Sequence, residues 1–177
     1  MNPLNTADIL QHILSFTIST SSIYDLCLVN KIFDGDVKSV RLTSVDADDY
    51  KKLTNDSLST LVKSLTSLIL GYNKMITDDG IKGLTRLTSL DLYCNKVITN
   101  DGIKGLSRLT SLNLYGNKVI TDNGIKGMSQ LTSLNLLSNE VITNDGIKGL
   151  TRLTSLNLHR NGIITIDDIK GLHRLKI

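Results

Sequence analysis

The sequence has no tryptophan, two phenylalanines and five tyrosines in 177 residues, so a core has to be built by aliphatic stacking rather than by large rings. Its two cysteines, Cys27 and Cys94, stand alone; they exclude a disulfide framework and fit a reducing compartment. No basic stretch followed by an apolar one opens the chain, and no apolar run approaches the roughly 18 residues of a membrane helix. We therefore expect no secretion and no membrane span, and a place in the cytoplasm, with the nucleus left open. There is one glutamate, Glu140, and the histidines His12, His159 and His173 have no motif partners. No Cys/His cluster has metal-ligand spacing. An enzyme, a resident metal and a cofactor are accordingly not expected. Charge is spread unevenly but mildly: residues 1–64 hold six basic and eight acidic side chains (−2), residues 65–177 fourteen and nine (+5). That falls short of the basic footprint of a nucleic-acid binder.

What the chain does have is one 22-residue phrase written five times, of which LTSLDLYCNKVITNDGIKGLSR is representative. Leu65, Leu87, Leu109, Leu131 and Leu153 open the copies, and Leu175 begins a sixth. Numbering the columns 1 to 22 from that leucine gives each a physical reading. Columns 4 and 6 (Leu90 and Leu92) alternate with polar residues, as on one face of a short strand, and stacked copies make a parallel sheet with strands about 4.8 Å apart. Column 9 is always Asn, whose amide can satisfy the backbone groups left open where the chain leaves the strand. Ile at columns 12 and 17, with Leu or Met128 at column 20, completes an apolar stripe that one copy cannot bury. Thr at column 13 reads as the N-cap of a helix of about two turns, with acidic residues in its first turn. Glycine recurs at column 19 and usually at column 16, which we assign to close approach of neighbouring convex segments. The period and the L-x-x-L-x-L-x-x-N head are the signature of a leucine-rich-repeat solenoid. The expected fold is α/β: a right-handed horseshoe with a parallel sheet on its concave face and an N-terminal helical cap.

The order L-x-x-L-x-L-x-x-N-x-x-I-T-D-x-G-I-x-x-L resembles the cysteine-containing subclass of leucine-rich repeats, found in F-box proteins. It departs from that subclass by Asn for Cys at column 9 and by a shorter unit, a length shared with the internalin-like subclass. Residues 1–38 lie outside the repeat. Thr6 can cap a helix with Ile9, Leu10, Ile13 and Leu14 on its apolar side, and a second amphipathic segment carries Leu26, Val29 and Phe33. A cap over the first repeat is the plain reading. ADILQHILSF followed by YDLCLVNKIF also resembles the F-box. The resemblance implies that Ile9, Leu10, Ile13, Leu14, Leu26, Val29 and Phe33 dock on a Skp-type adaptor of a cullin–RING ubiquitin ligase. Residues 39–177 form the solenoid, with a degenerate repeat over 42–64 (Leu42, Val45 and Ala47 in its strand columns), regular repeats over 65–174 and an incomplete one over 175–177.

Function is expected where the copies differ. Columns 7 and 8 vary most, and alternation turns column 7 toward the concave, solvent side. Tyr72, Tyr93, Tyr115, Leu137, His159 and Arg160 make the candidate stripe for a protein partner. The lysines of column 18 (Lys82 to Lys170) read as a solvated convex face, with a phosphate-binding stripe as the sharper alternative. An uncapped apolar edge at the last copy invites self-association.

Overall fold

The computed structural model describes residues 39–41, 55 and 65–175, the first three as backbone only. The F-box-like segment, with all seven of its candidate residues, lies outside the described residues, as do 42–54, 56–64, 176 and 177.

Because successive copies are 22 residues apart, equal columns fall side by side. Six strands, β1 (Ser39–Arg41), β2 (Ser67–Ile69), β3 (Ser89–Asp91), β4 (Ser111–Asn113), β5 (Ser133–Asn135) and β6 (Ser155–Asn157), form one parallel sheet in chain order. Leu68, Leu90, Leu112, Leu134 and Leu156 share one row across it. In β2 to β5 the central leucine is buried and its two neighbours are half-exposed, so the polar face of the sheet stays open. On the other side of each coil lies a helix: α1 (Asp78–Ile81), α2 (Asn100–Ile103), α3 (Asp122–Ile125), α4 (Asn144–Ile147) and α5 (Ile166–Ile169). Each is a single turn, shorter than the two turns expected, because the chain turns back toward the next strand directly after it. Leu from columns 1, 4, 6 and 20 and Ile from columns 12 and 17 fill the space between, most of them wholly buried. The layout is that of the expected solenoid.

The buried asparagines tie the coils together. Asn95 Oδ1 accepts from the N–H groups of Val97 and Ile98, both at 2.9 Å. Its Nδ2 donates back to the preceding coil, to the carbonyls of Leu70 at 2.8 Å and Asn73 at 3.1 Å. Asn117 and Asn139 repeat all four bonds. Each amide is thus fully used in a place where an unpaired polar group would cost roughly 1–3 kcal/mol. Column 2 adds a second tie: the hydroxyls of Thr88, Thr110, Thr132 and Thr154 each donate to the carbonyl of the threonine one coil earlier.

A third tie runs along the convex side and explains one glycine column. Asp78 accepts from the N–H and the hydroxyl of Thr99, and Asp122 does the same for Thr143. Asn55 and Asn100 occupy the intervening places, accepting from the N–H of Thr77 and Thr121 and donating to their hydroxyls. These column 14 side chains lie over the glycine of column 16 in the next coil: a Cβ on Gly102 would come within 2.4 Å of Asp78 Oδ1. Column 19 is different. A Cβ there meets nothing closer than 3.8 Å, so close approach does not account for Gly83, Gly105, Gly127, Gly149 or Gly171.

The first unit is longer than the rest. Val40, and not Val45, faces Leu68, so β1 lies upstream of the strand expected at Leu42, Val45 and Ala47. Leu42-Thr-Ser-Val imitates the Leu-Thr-Ser-Leu that opens the regular copies, which is why the sequence misleads here. Asn55 nevertheless holds Thr77 as a column 14 residue should, in the place the expected spacing assigns it.

Candidate partner-binding face

The site is built at the strand exits. Column 5 supports it from below: Asp91 Oδ1 accepts from the N–H of Tyr93 at 2.9 Å, and Asn113, Asn135 and Asn157 accept likewise from Tyr115, Leu137 and His159 at 3.0 Å. In the sequence these are only the polar residues that alternate with the leucines of columns 4 and 6. In the structure they fix the backbone that presents column 7. Asp91 is further engaged by Asn113 Nδ2 at 2.9 Å.

One residue later the backbone turns left-handed in every regular copy. Tyr72, Cys94, Gly116, Ser138 and Arg160 have φ of 55°, 50°, 58°, 50° and 54°. The turn lets the N–H groups of Tyr72, Cys94, Gly116 and Ser138 donate sideways to the column 7 carbonyl of the next coil, at 2.8–3.1 Å. Only glycine adopts this conformation freely; an L side chain pays about 1–2 kcal/mol. Column 8 is therefore not left free by the architecture, as its variability suggests. Four of its five occupants stand against the backbone's preference, and Gly116 alone carries the signal that the sequence could have offered.

The candidate residues form a line. Tyr93 folds back over Gly71, where a Cβ would fall 1.8 Å from its ring, and meets Tyr72 edge to face with centroids 4.9 Å apart at 81°. Any side chain at column 7 of the first regular copy would push this ring away. Cys94 comes next: its sulfur hydrogen-bonds to the Tyr72 phenol and, with its charge, raises the phenol above the ordinary tyrosine value. Sequence reasoning passed over Cys94, which sits between two of the named tyrosines. Tyr72 and Tyr115 stay 48% and 40% exposed, Tyr93 and Leu137 half-buried, and His159 and Arg160 lie open in the last regular coil.

The convex lysines are already paired. Lys82, Lys104, Lys148 and Lys170 reach the aspartate three residues earlier at 2.5–2.7 Å, all exposed, and Lys126 donates to Asn123. The pairing raises Lys82 and Lys148 and lowers Asp101 and Asp145. Such a face is solvated and, but for Lys126, self-neutralised, which leaves a phosphate stripe without support. Among the described residues no cluster of His, Cys, Asp and Glu could hold a metal, and no helix is long and apolar enough to cross a membrane.

Comparison with known proteins agrees with this geometry. Leucine-rich-repeat family models match residues 63–119 and 127–151. No curated protein matches the chain. Among solved structures, a leucine-rich-repeat protein of Leptospira interrogans superposes with a TM-score of 0.65 at 22% identity, covering 99% of this chain and 46% of that one. An internalin of Listeria monocytogenes gives 0.58 at 22% identity over 78% of this chain and 39% of that one. Internalin C2 of the same organism gives 0.56 at 23% identity over 80% and 70%. These likenesses establish the fold, and the chain spans less than half the length of the first two.

Proposed function

We propose that this leucine-rich-repeat interaction module is a non-catalytic substrate receptor, holding a target protein at its strand exits and a ligase adaptor through residues 1–38. The observation that carries the target site is the row of non-glycine side chains at column 8. Tyr72, Cys94, Ser138 and Arg160 occupy left-handed backbone that glycine would adopt without strain. Strain held at one row of an otherwise idealised repeat is a mark of selection for what those side chains do. Tyrosine and arginine there are residue types favoured at the energetic centre of interfaces. The adaptor site rests on the F-box resemblance: Ile9, Leu10, Ile13, Leu14, Leu26, Val29 and Phe33 would enter a Skp-type adaptor and, through it, a cullin.

A second reading, a free-standing binding module whose N-terminal helices only cap the core, draws on β1. Among the described residues the sheet begins at Ser39, directly after the 1–38 segment, and the first strand of a solenoid needs a cap. Affinity capture from cytosol separates the two. The receptor predicts that adaptor and cullin come down with the full chain and are lost with Ile13→Asp, while Tyr93→Ala with Tyr115→Ala loses the target alone. A folded chain that captures neither adaptor nor cullin leaves the capped module.

A further inference from the structure

We infer that the partner segment is acidic: an extended peptide lying across the coils that open at Leu65, Leu87 and Leu109, its apolar side chains on the tyrosines and its carboxylates toward Lys74, Lys96 and Lys118. This rests on the reading of the strand exits as the partner face. Two columns of lysine run along this solenoid, and they differ. Those of column 18 are neutralised within their own coil, except Lys126, which donates to the neutral Asn123. Those of column 10, two residues beyond column 8, are exposed, and among the described residues none pairs with a carboxylate. Two carboxylates border the row, Asp91, which accepts from Tyr93 N–H and Asn113 Nδ2, and Glu140, which follows Lys118 in column 10; among the described residues neither forms an ion pair with these lysines.

Three unneutralised ammonium groups on successive coils, about 4.8 Å of sheet apart, repel one another and attract a line of negative charge. Column 10 does not need lysine for the fold: it becomes Glu140 and then Gly162 in the next two coils without change in the backbone bonds. The basic row therefore ends where the tyrosines end, and charge and aromatic surface share the same three coils. A single-stranded nucleic acid would also carry negative charge, but it needs open ring faces to stack on. Tyr93 is laid over Gly71 and set edge-on to Tyr72, an arrangement suited to side-chain contact rather than to a ladder of bases.

The test is selection of a random peptide display library on the full chain, followed by fluorescence anisotropy of the enriched peptides at low and high salt. Enrichment of Asp and Glu is expected, with affinity that falls as salt rises. Lys74→Gln/Lys96→Gln/Lys118→Gln should weaken binding about tenfold, in line with a few exposed ion pairs, and Lys82→Gln/Lys104→Gln/Lys148→Gln should not. Peptides without acidic bias that bind the first triple variant as well as the parent overturn the inference. If those peptides still lose binding with Tyr93→Ala/Tyr115→Ala, the partner face stands and only its chemistry was misread. Indifference to both sets of changes removes the face as well. A labelled single-stranded RNA that binds more tightly than every enriched peptide also overturns it, in favour of a nucleic-acid groove.

Discussion

A Cβ at Gly102 would lie 2.4 Å from Asp78 Oδ1 and 3.2 Å from the Asp78 Cα, whereas one at Gly105 would meet only the Lys82 carbonyl, at 3.9 Å. At Gly102 the clash falls on a carboxylate that Thr99 holds by two bonds, with its Cα close behind, so either those bonds give way or the coils part; the second contact is ordinary packing. Gly102→Ala should therefore destabilise by about 1–3 kcal/mol through overpacking. Gly105→Ala, with φ outside the left-handed region, should stabilise by about 0.4–1 kcal/mol by stiffening the unfolded chain. Urea midpoints of the two variants moving in the same direction would refute this assignment. Both columns look alike in the sequence, because a duplicated unit repeats a neutral residue as faithfully as a required one. The single variation in the sequence points the wrong way: Asp168 replaces the glycine of the crowded column 16 in the last copy, while Gly171 keeps that of the roomy column 19, so only the contacts tell the columns apart. Left-handed backbone at column 8 was legible in Gly116 alone, since the other four copies hide it behind side chains.

Asp168 also changes how its helix is held. In α1 to α4 the N-terminal threonine takes its N–H partner from the coil before, but Thr165 donates its N–H and its hydroxyl to Asp168 within α5, at 2.8 and 2.9 Å. The preceding coil's contribution is stranded: Asn144 Oδ1 is buried with no partner. Those two bonds from Thr165, backbone first, hold the Asp168 carboxyl below the ordinary aspartate value. The sign follows: the stabilisation is present above the unfolded value and is lost as pH falls through the lower folded one. The Thr165 amide resonance should accordingly move with a midpoint below that of a free aspartate. Asp168→Asn keeps an acceptor and should abolish the titration. A midpoint at or above the free value would refute the cap. At this scale the sequence told the order of strand, turn and helix because column periodicity survives duplication. It told less about length and first register: helices came out as one turn, and LTSV at Leu42 imitated a repeat head that β1 does not use.

Stacking makes each coil both a buried layer and a surface for the next, so the ends decide how the whole molecule behaves. Leu90, Leu92, Leu112 and Leu114 are fully covered by neighbours, but their counterparts Leu156 and Leu158 are only half-buried. Ile163 and Ile166 are 45% and 74% exposed. Ile166 stands in column 14, where every earlier coil carries Asp or Asn and all but Asn144 hold the next threonine, so this surface is apolar where its equivalents are polar. Among the described residues no strand lies beyond β6. The N–H groups of columns 6 and 8, which elsewhere donate to the following coil, belong here to Leu158 and Arg160, and among the described residues no coil receives them. A strand edge unpaired among the described residues, beside exposed isoleucines, is a template for pairing, and a two-fold arrangement would set β6 antiparallel to its copy. Burying one such isoleucine contributes about 1.5–3 kcal/mol, enough to make association depend on concentration. Sedimentation velocity over a concentration series should show the parent chain moving from monomer toward dimer. Ile163→Lys with Ile166→Asp should hold it monomeric without lowering its melting temperature, since neither side chain is part of the buried spine. A parent chain that stays monomeric throughout the series would mean that the half-covered leucines of this coil are screened well enough on their own.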